Sequence, residues 1–143
     1  MESIIVTGAN GFIGSSLVRK LVAKGVGVVA VDVAFTDDRL PKSELITKIE
    51  SGVVPQLSDL VPAGRKYKAF YHLAWRGVNG LEKADPFTQL DNIRMAIDGA
   101  YVCKKIGAEK YLCAGTVAEN AVFSLSGLEE TSGGMMYGVA KHA

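Results

Sequence analysis

Within the first fourteen residues, Thr7-Gly8-Ala9-Asn10-Gly11-Phe12-Ile13-Gly14 sets three glycines between two apolar patterns of different period. The short β-branched run Ser3 to Thr7 precedes them, and Ile13, Leu17 and Leu21 then recur every fourth residue until Lys24-Gly25. A buried strand, a glycine turn and a helix closed by glycine would leave this trace. Val26 to Val33 follows as an apolar run with almost no alternation, as expected of a parallel strand covered on both faces. The chain therefore opens β-α-β, and few architectures accept that opening.

The pattern continues. Lys68 to Ala74 resumes the buried-strand character, Pro86 to Ile106 carries Phe87, Leu90, Ile93, Ile97 and Tyr101 at helical spacing before Gly107, and Lys110 to Ala114 reads as a further strand. Between them the signals are weaker: Pro41 to Glu50 reads as a short helix and Val53 to Leu57 as a weak third strand near a sheet edge. A glycine-bearing polar loop follows the fifth strand, and a last helix is predicted from Met136 onward. Alternating strands and helices over 143 residues predict an α/β fold, a Rossmann-like doubly wound parallel sheet of order 3-2-1-4-5, in one domain spanning residues 1–143. Its ligand crevice should open where the order reverses, bringing together the strand ends that carry Gly8, Asp32, Ala74 and Thr116.

Gly8, Gly11 and Gly14 follow a strand and open a helix, so the backbone can approach a pyrophosphate held by amides at the helix N-terminus. Asp32 ends the second strand, where a carboxylate accepts hydrogen bonds from an adenosine ribose and repels a 2′-phosphate. NAD is thus favoured over NADP, although Arg39 lies further on within possible reach of a phosphate. Tyr137 and Lys141, four residues apart, share one helical face, so an ammonium can stabilise a phenolate and make tyrosine a usable base. Alone, that spacing also fits an ordinary solvent-facing helix.

A formal charge of +1 gives no electrostatic footprint for nucleic acid or an anionic membrane. No apolar stretch approaches the length of a membrane span, and Met1-Glu2-Ser3 lacks a basic, targeting-type start, so a cytoplasmic protein is expected. Cys103 and Cys113 lack metal-ligand spacing and are expected as buried free thiols; no metal site is predicted. His72 reads as a packed structural residue.

Taken together, Thr7-Gly8-x-x-Gly11-Phe12-Ile13-Gly14, Asp32, Tyr71-His72-Leu73-Ala74, Asn92, Thr116 and Tyr137-x-x-x-Lys141 resemble the extended short-chain dehydrogenase/reductase family, and more narrowly its NAD-dependent epimerase/dehydratases. The resemblance implies NAD contacts from Gly8, Asn10, Gly11, Phe12, Ile13, Gly14, Asp32, Leu73, Ala74, Asn92, Tyr137 and Lys141. It further implies that Tyr137 removes a sugar hydroxyl proton, that Lys141 holds the nicotinamide ribose and lowers the tyrosine pKa, and that Thr116 hydrogen-bonds the reacting oxygen. Asn92 matches an asparagine that helps organise the active-site backbone. Ser124, Ser126 and Ser132 are rivals of Thr116, because Ala114-Gly115 stands where the family has a serine pair. Trp75-Arg76 stands where small residues are usual, leaving Arg76 either to meet a substrate phosphate or to solvate a loop. Gln56-Leu57 replaces the family's aspartate near the adenine, with Asp59 a substitute.

The similarity covers essentially all 143 residues, but only about the first half of a typical member. The expected partner is a nucleotide-sugar or related small molecule; the substrate-gripping domain is expected to lie outside this chain, with weak or no turnover by the chain alone. Three functions stay open: the cofactor part of an epimerase or dehydratase, a ketone reductase on the same scaffold, and a non-catalytic NAD-binding module. A homodimer is suggested by the family, with Phe87, Ile97 and Tyr101 either core or interface.

Overall fold

The computed structural model describes residues 2–119 and 133–143. In chain order these form β1 (Glu2–Thr7), α1 (Phe12–Ala23), β2 (Gly27–Asp32), β3 (Ile46–Glu50), a 3-10 turn (Val54–Gln56) running into α2 (Leu57–Leu60), β4 (Lys66–His72), a second 3-10 turn (Leu81–Lys83), α3 (Pro86–Lys105), β5 (Tyr111–Cys113) and α4 (Gly133–His142). The five strands make one sheet of order β3-β2-β1-β4-β5. Every pairing is parallel, with Ile5 opposite both Val29 and Phe70. This is the Rossmann-like doubly wound order expected from the alternation of periods.

The described chain divides into two compact units, Met1–Ala74 with Asp98–Cys113, and Trp75–Ile97 with Ala114–Ala143. In the first, Ile5, Val6, Val28, Val29 and Phe70 are fully buried, which explains why β2 shows no polar alternation. Val18 of α1 joins Val6, Val28, Ala30 and Leu40 in one cluster, with Leu17, Leu21 and Phe35 packed around it. Burying each such side chain contributes roughly 1.5–3 kcal/mol. Gly25, at φ +75°, ends α1 as predicted: its N–H donates to Val22 O and the Val26 N–H to Leu21 O, a paired closure that satisfies two of the last carbonyls. Asp85 starts α3, accepting from the Thr88 amide at 2.9 Å and the Thr88 hydroxyl at 2.6 Å. Those two hydrogen bonds, the hydroxyl's first, hold its carboxyl below the usual carboxylate range.

Two middle elements differ from expectation. Pro41 to Glu50 is not a helix: Ile46–Glu50 is β3, paired in register with Val28 to Asp32. Ile46, Thr47 and Ile49 are β-branched, and the free edge of β2 supplies backbone partners that a short isolated helix would lack. Val53 to Leu57 is not a strand, because Pro55, which cannot donate to a ladder, sits in the 3-10 turn and Leu57 is drawn into the core. The edge strand therefore comes earlier in the chain. α4 begins at Gly133, three residues before Met136. Cys103 is buried as expected, and burial pushes its thiol pKa up, but Cys113 is exposed because β5 is a short outer strand. No helix among the described residues is long and apolar enough to cross a membrane.

Candidate functional site

The first unit builds a cradle from missing side chains. Gly8 leaves β1 at φ +66°, and a Cβ on it would lie 2.8 Å from Ala74 N and 2.9 Å from Leu73 C. Both the dihedral and the close approach of the β4 end require glycine there. Gly14 is tighter still, since its Cβ would fall 2.0 Å from Gly8 O, so only glycine lets the first turn of α1 rest on the strand exit. Gly11 caps α1 in an extended conformation with no side-chain hydrogen bond. The first amides of a twelve-residue helix thus point from its positive end with no side-chain cap to satisfy them. A phosphate fits that cradle. Phe12 and Ile13, both exposed, line an adjoining groove of about 430 Å³ with Arg19 and Arg39.

Asp32 ends β2 beside this turn. Its Oδ2 accepts from Asn10 N at 2.8 Å and its Oδ1 from Val33 N at 2.8 Å, fixing the carboxylate at the mouth of the cradle. Asn10 then fastens the loop after β2: its Oδ1 accepts from Arg39 N at 2.9 Å, and its Nδ2 donates to Asp37 O at 3.2 Å and Ala34 O at 3.5 Å. Its side chain positions protein backbone. Arg19 donates to Arg39 O at 2.8 Å, and Lys48 pairs with Asp38, whose carboxyl is held low chiefly by that hydrogen bond. The loop thus presents a set shape rather than a slack one.

At the end of β4, Thr7 Oγ1 lies 2.9 Å from His72 Nδ1 and accepts from Ala74 N at 3.3 Å, while Leu73 N donates to Thr7 O. Gly8, Asp32, Leu73 and Ala74 therefore meet at one end of the sheet. His72 is 1 % exposed and part of this stitching, the structural role its pattern suggested. Tyr111 stacks on His72, and burial pushes its phenol pKa up. Asp59, the candidate adenine contact, is exposed and pairs with Lys105.

The second unit carries the polar side chains of the predicted chemistry. Tyr137 and Lys141 stand one turn apart on α4, with Lys141 Nζ 5.9 Å from the Tyr137 ring centroid. That ammonium donates to Ala114 O at 2.8 Å and lies 3.8 Å from the centroid of Trp75. Thr116 N donates to Glu119 Oε1 at 2.9 Å, and Thr116 Oγ1 accepts from Ala118 N, leaving its hydroxyl proton to donate. Asn92 is fully buried: Nδ2 donates to Arg76 O at 2.7 Å, and Oδ1 accepts from Arg76 N at 2.9 Å. Its amide thus holds the backbone at Arg76. The Arg76 side chain is exposed. Ser124, Ser126 and Ser132 lie outside the described residues. Lys83, with Nζ 5.1 Å from the Tyr137 ring centroid, carried no sequence signal.

The sequence model of the NAD dependent epimerase/dehydratase family matches residues 4–143. The chain belongs to this family. Its cofactor is NAD, in keeping with a cradle that only glycines can form. Among curated proteins, dTDP-6-deoxy-L-talose 4-dehydrogenase (NAD(+)) of Aggregatibacter actinomycetemcomitans is 32% identical over 127 residues, covering 85% of this chain and 44% of that protein. A crystal structure of UDP-galactose 4-epimerase aligns with a TM-score of 0.73 at 25% identity, over 99% of this chain and 48% of the other. The NAD-dependent NDP-hexosamine 5,6-dehydratase TunA, of tunicamycin biosynthesis, aligns with a TM-score of 0.72 at 25% identity, over 99% and 46%. The chain thus spans less than half the length of the relatives it matches.

Proposed function

We propose that residues 1–143 form the NAD-binding part of an enzyme that oxidises or reduces a carbon of a nucleotide-sugar, with Tyr137 as its proton-transferring base. The observation that carries this is the Tyr137–Lys141 pair one turn apart on α4, in a chain whose amino-terminal cradle admits only glycine at Gly8 and Gly14. Gly8, Gly11 and the first amides of α1 would hold the pyrophosphate, and Asp32 the adenosine ribose. Bound NAD supplies a hydride acceptor or donor. Tyr137, as the phenolate, takes the proton of the sugar hydroxyl being oxidised, and Lys141 stabilises that phenolate by charge. Thr116 donates its hydroxyl proton to the same oxygen as it becomes a carbonyl. Run backwards, the same residues return a proton to a ketone.

The dehydrogenase relative, acting by its name at carbon 4 of a deoxysugar nucleotide, favours simple oxidoreduction. The epimerase neighbour favours oxidation followed by reduction from the other face. Exposure of Phe87, Leu90, Ile97 and Tyr101 along α3 supports a family-type homodimer, and a cytoplasmic setting belongs with the same proposal. Calorimetric titration of the chain with NAD, beside NADP and the Asp32→Ala variant, tests the cofactor role. Saturable NAD binding weakened by the substitution supports it; no heat at millimolar NAD removes it. Product analysis with dTDP- and UDP-sugars then separates oxidation from epimerisation.

A further inference from the structure

Trp75 is the chain's single tryptophan, and its position just past β4 carried no predicted chemistry. In the second unit its ring touches both members of the α4 pair. Lys141 Nζ lies 3.8 Å from the centroid of the indole, well inside the range in which a ring face attracts an ammonium. Tyr137 packs against the same ring at 6.2 Å between centroids and an interplanar angle of 79°, the edge-to-face arrangement that aromatic quadrupoles favour. The indole is itself fixed, because its Nε1–H donates to Gln89 Oε1 at 3.1 Å. Gln89 is fully buried, and its Nε2 donates to Gly77 O at 3.2 Å and Lys83 O at 3.3 Å, while Oε1 also accepts from Asn92 Nδ2. A buried amide network therefore sets the ring, and the ring meets both side chains.

We propose that Trp75 is a positioning residue for the Tyr137–Lys141 pair, its indole serving as the platform on which the Lys141 ammonium and the Tyr137 ring are both seated. A lysine has a flexible four-carbon stem, and a stem left free must be ordered when its charge is needed. Here the ammonium is held between the indole and Ala114 O before any ligand arrives. The assignment rests on the catalytic role proposed for the pair. Its test uses neither cofactor nor substrate, so a failure of that role in a Tyr137→Phe assay and a failure of the platform are separate results.

The test is carbon-detected NMR of the whole chain carrying lysine labelled at Cε, with Lys141→Met identifying the signal. In the wild type the Lys141 Hε resonances should lie upfield of the other lysines, under the indole ring current, with the heteronuclear NOE of an ordered side chain. Trp75→Phe should retain a smaller upfield displacement, and Trp75→Leu should return the signal to the shift of the other lysines and lower its NOE, although the bond to Ala114 O remains. A wild-type signal within the lysine envelope, or one still displaced and ordered in Trp75→Leu, overturns the proposal. Should Trp75→Leu fail to fold, the wild type and Trp75→Phe decide, because a displacement unchanged by the smaller ring overturns it equally.

Discussion

The two units solve different problems with different materials. Around Gly8, Gly11 and Gly14 the first unit works by leaving side chains out, so that backbone meets backbone and helix amides stay uncapped. Around Trp75, Tyr137 and Lys141 the second unit works by stacking large side chains on one another and anchoring them to a buried amide. A cradle made of backbone is intolerant of any added atom, yet it has no chemistry of its own. A site made of side chains keeps its fold through many substitutions and loses function through single ones.

The sharpest way to break this contrast is Gly14→Ala. A methyl group 2.0 Å from Gly8 O cannot be accommodated without moving β1 or α1, so a loss of about 3 kcal/mol or more in urea unfolding is expected, with NAD binding abolished. Gly25→Ala is the control: its φ of +75° is strained, but nothing lies within 4 Å of the new Cβ, and about 1 kcal/mol is expected. Equal losses would mean that close packing does not set the cradle. On the other side, Tyr137→Phe should leave stability unchanged while slowing whatever NAD reduction the wild-type chain supports with a nucleotide-sugar by about 10²-fold or more, read by the absorbance of the reduced nicotinamide. An unchanged rate would take the base role away from Tyr137.

Smaller effects sharpen the picture within the first unit. If Asp32 reads the ribose as proposed, Asp32→Ala should weaken NAD about tenfold, or ~1.4 kcal/mol, and NADP less, since the same carboxylate would repel a 2′-phosphate. Asn10→Ala removes the hydrogen bonds that fasten the 34–39 segment. Stability should fall by about 1 kcal/mol, and faster amide exchange should be confined to Arg39 and its neighbours. The smallest expected effect is at Asp85, whose folded pKa is lowered by its hydrogen bonds from Thr88. Its contribution is therefore complete above the unfolded carboxylate pKa of about 4 and disappears as pH falls through the lowered folded value. Melting temperatures of the wild type and Asp85→Ala should differ at pH 7 and converge in acid; a constant gap would remove the cap's charge from the account.

The same contrast governs how much could be read before any coordinates. The glycine spacing, the unbroken apolar run of β2, and the start and stop signals of α1 and α3 are local, and each element lies where its own residues put it. Residues 41–57 depart from expectation in secondary structure, since β3 exists because β2 offers an open edge and since Pro55 and the burial of Leu57 make a turn of Val53 to Leu57; Cys113 departs in burial, because β5 is an outer strand. Asn92 was expected to organise backbone through its motif, but the backbone groups that Asn10 holds were not legible, since they lie 24 to 29 positions away in sequence. Trp75 stood out only as a large residue where the family has small ones, with no hint of its contacts: its neighbours Gln89, Tyr137 and Lys141 come from two helices and share no spacing with it.

The amino-acid sequence by itself determined β1, α1, β2, β4 and α3, the glycine cradle and the Tyr137–Lys141 turn, because all of these follow from residues within one element or at its boundary. Tertiary structure alone decided which edge strand completes the sheet, what Asn10 and Asn92 hold, and that one buried amide orients the ring beneath the Lys141 ammonium. Those outcomes depend on which backbone groups and side chains meet across distant positions, and no local periodicity encodes such a meeting.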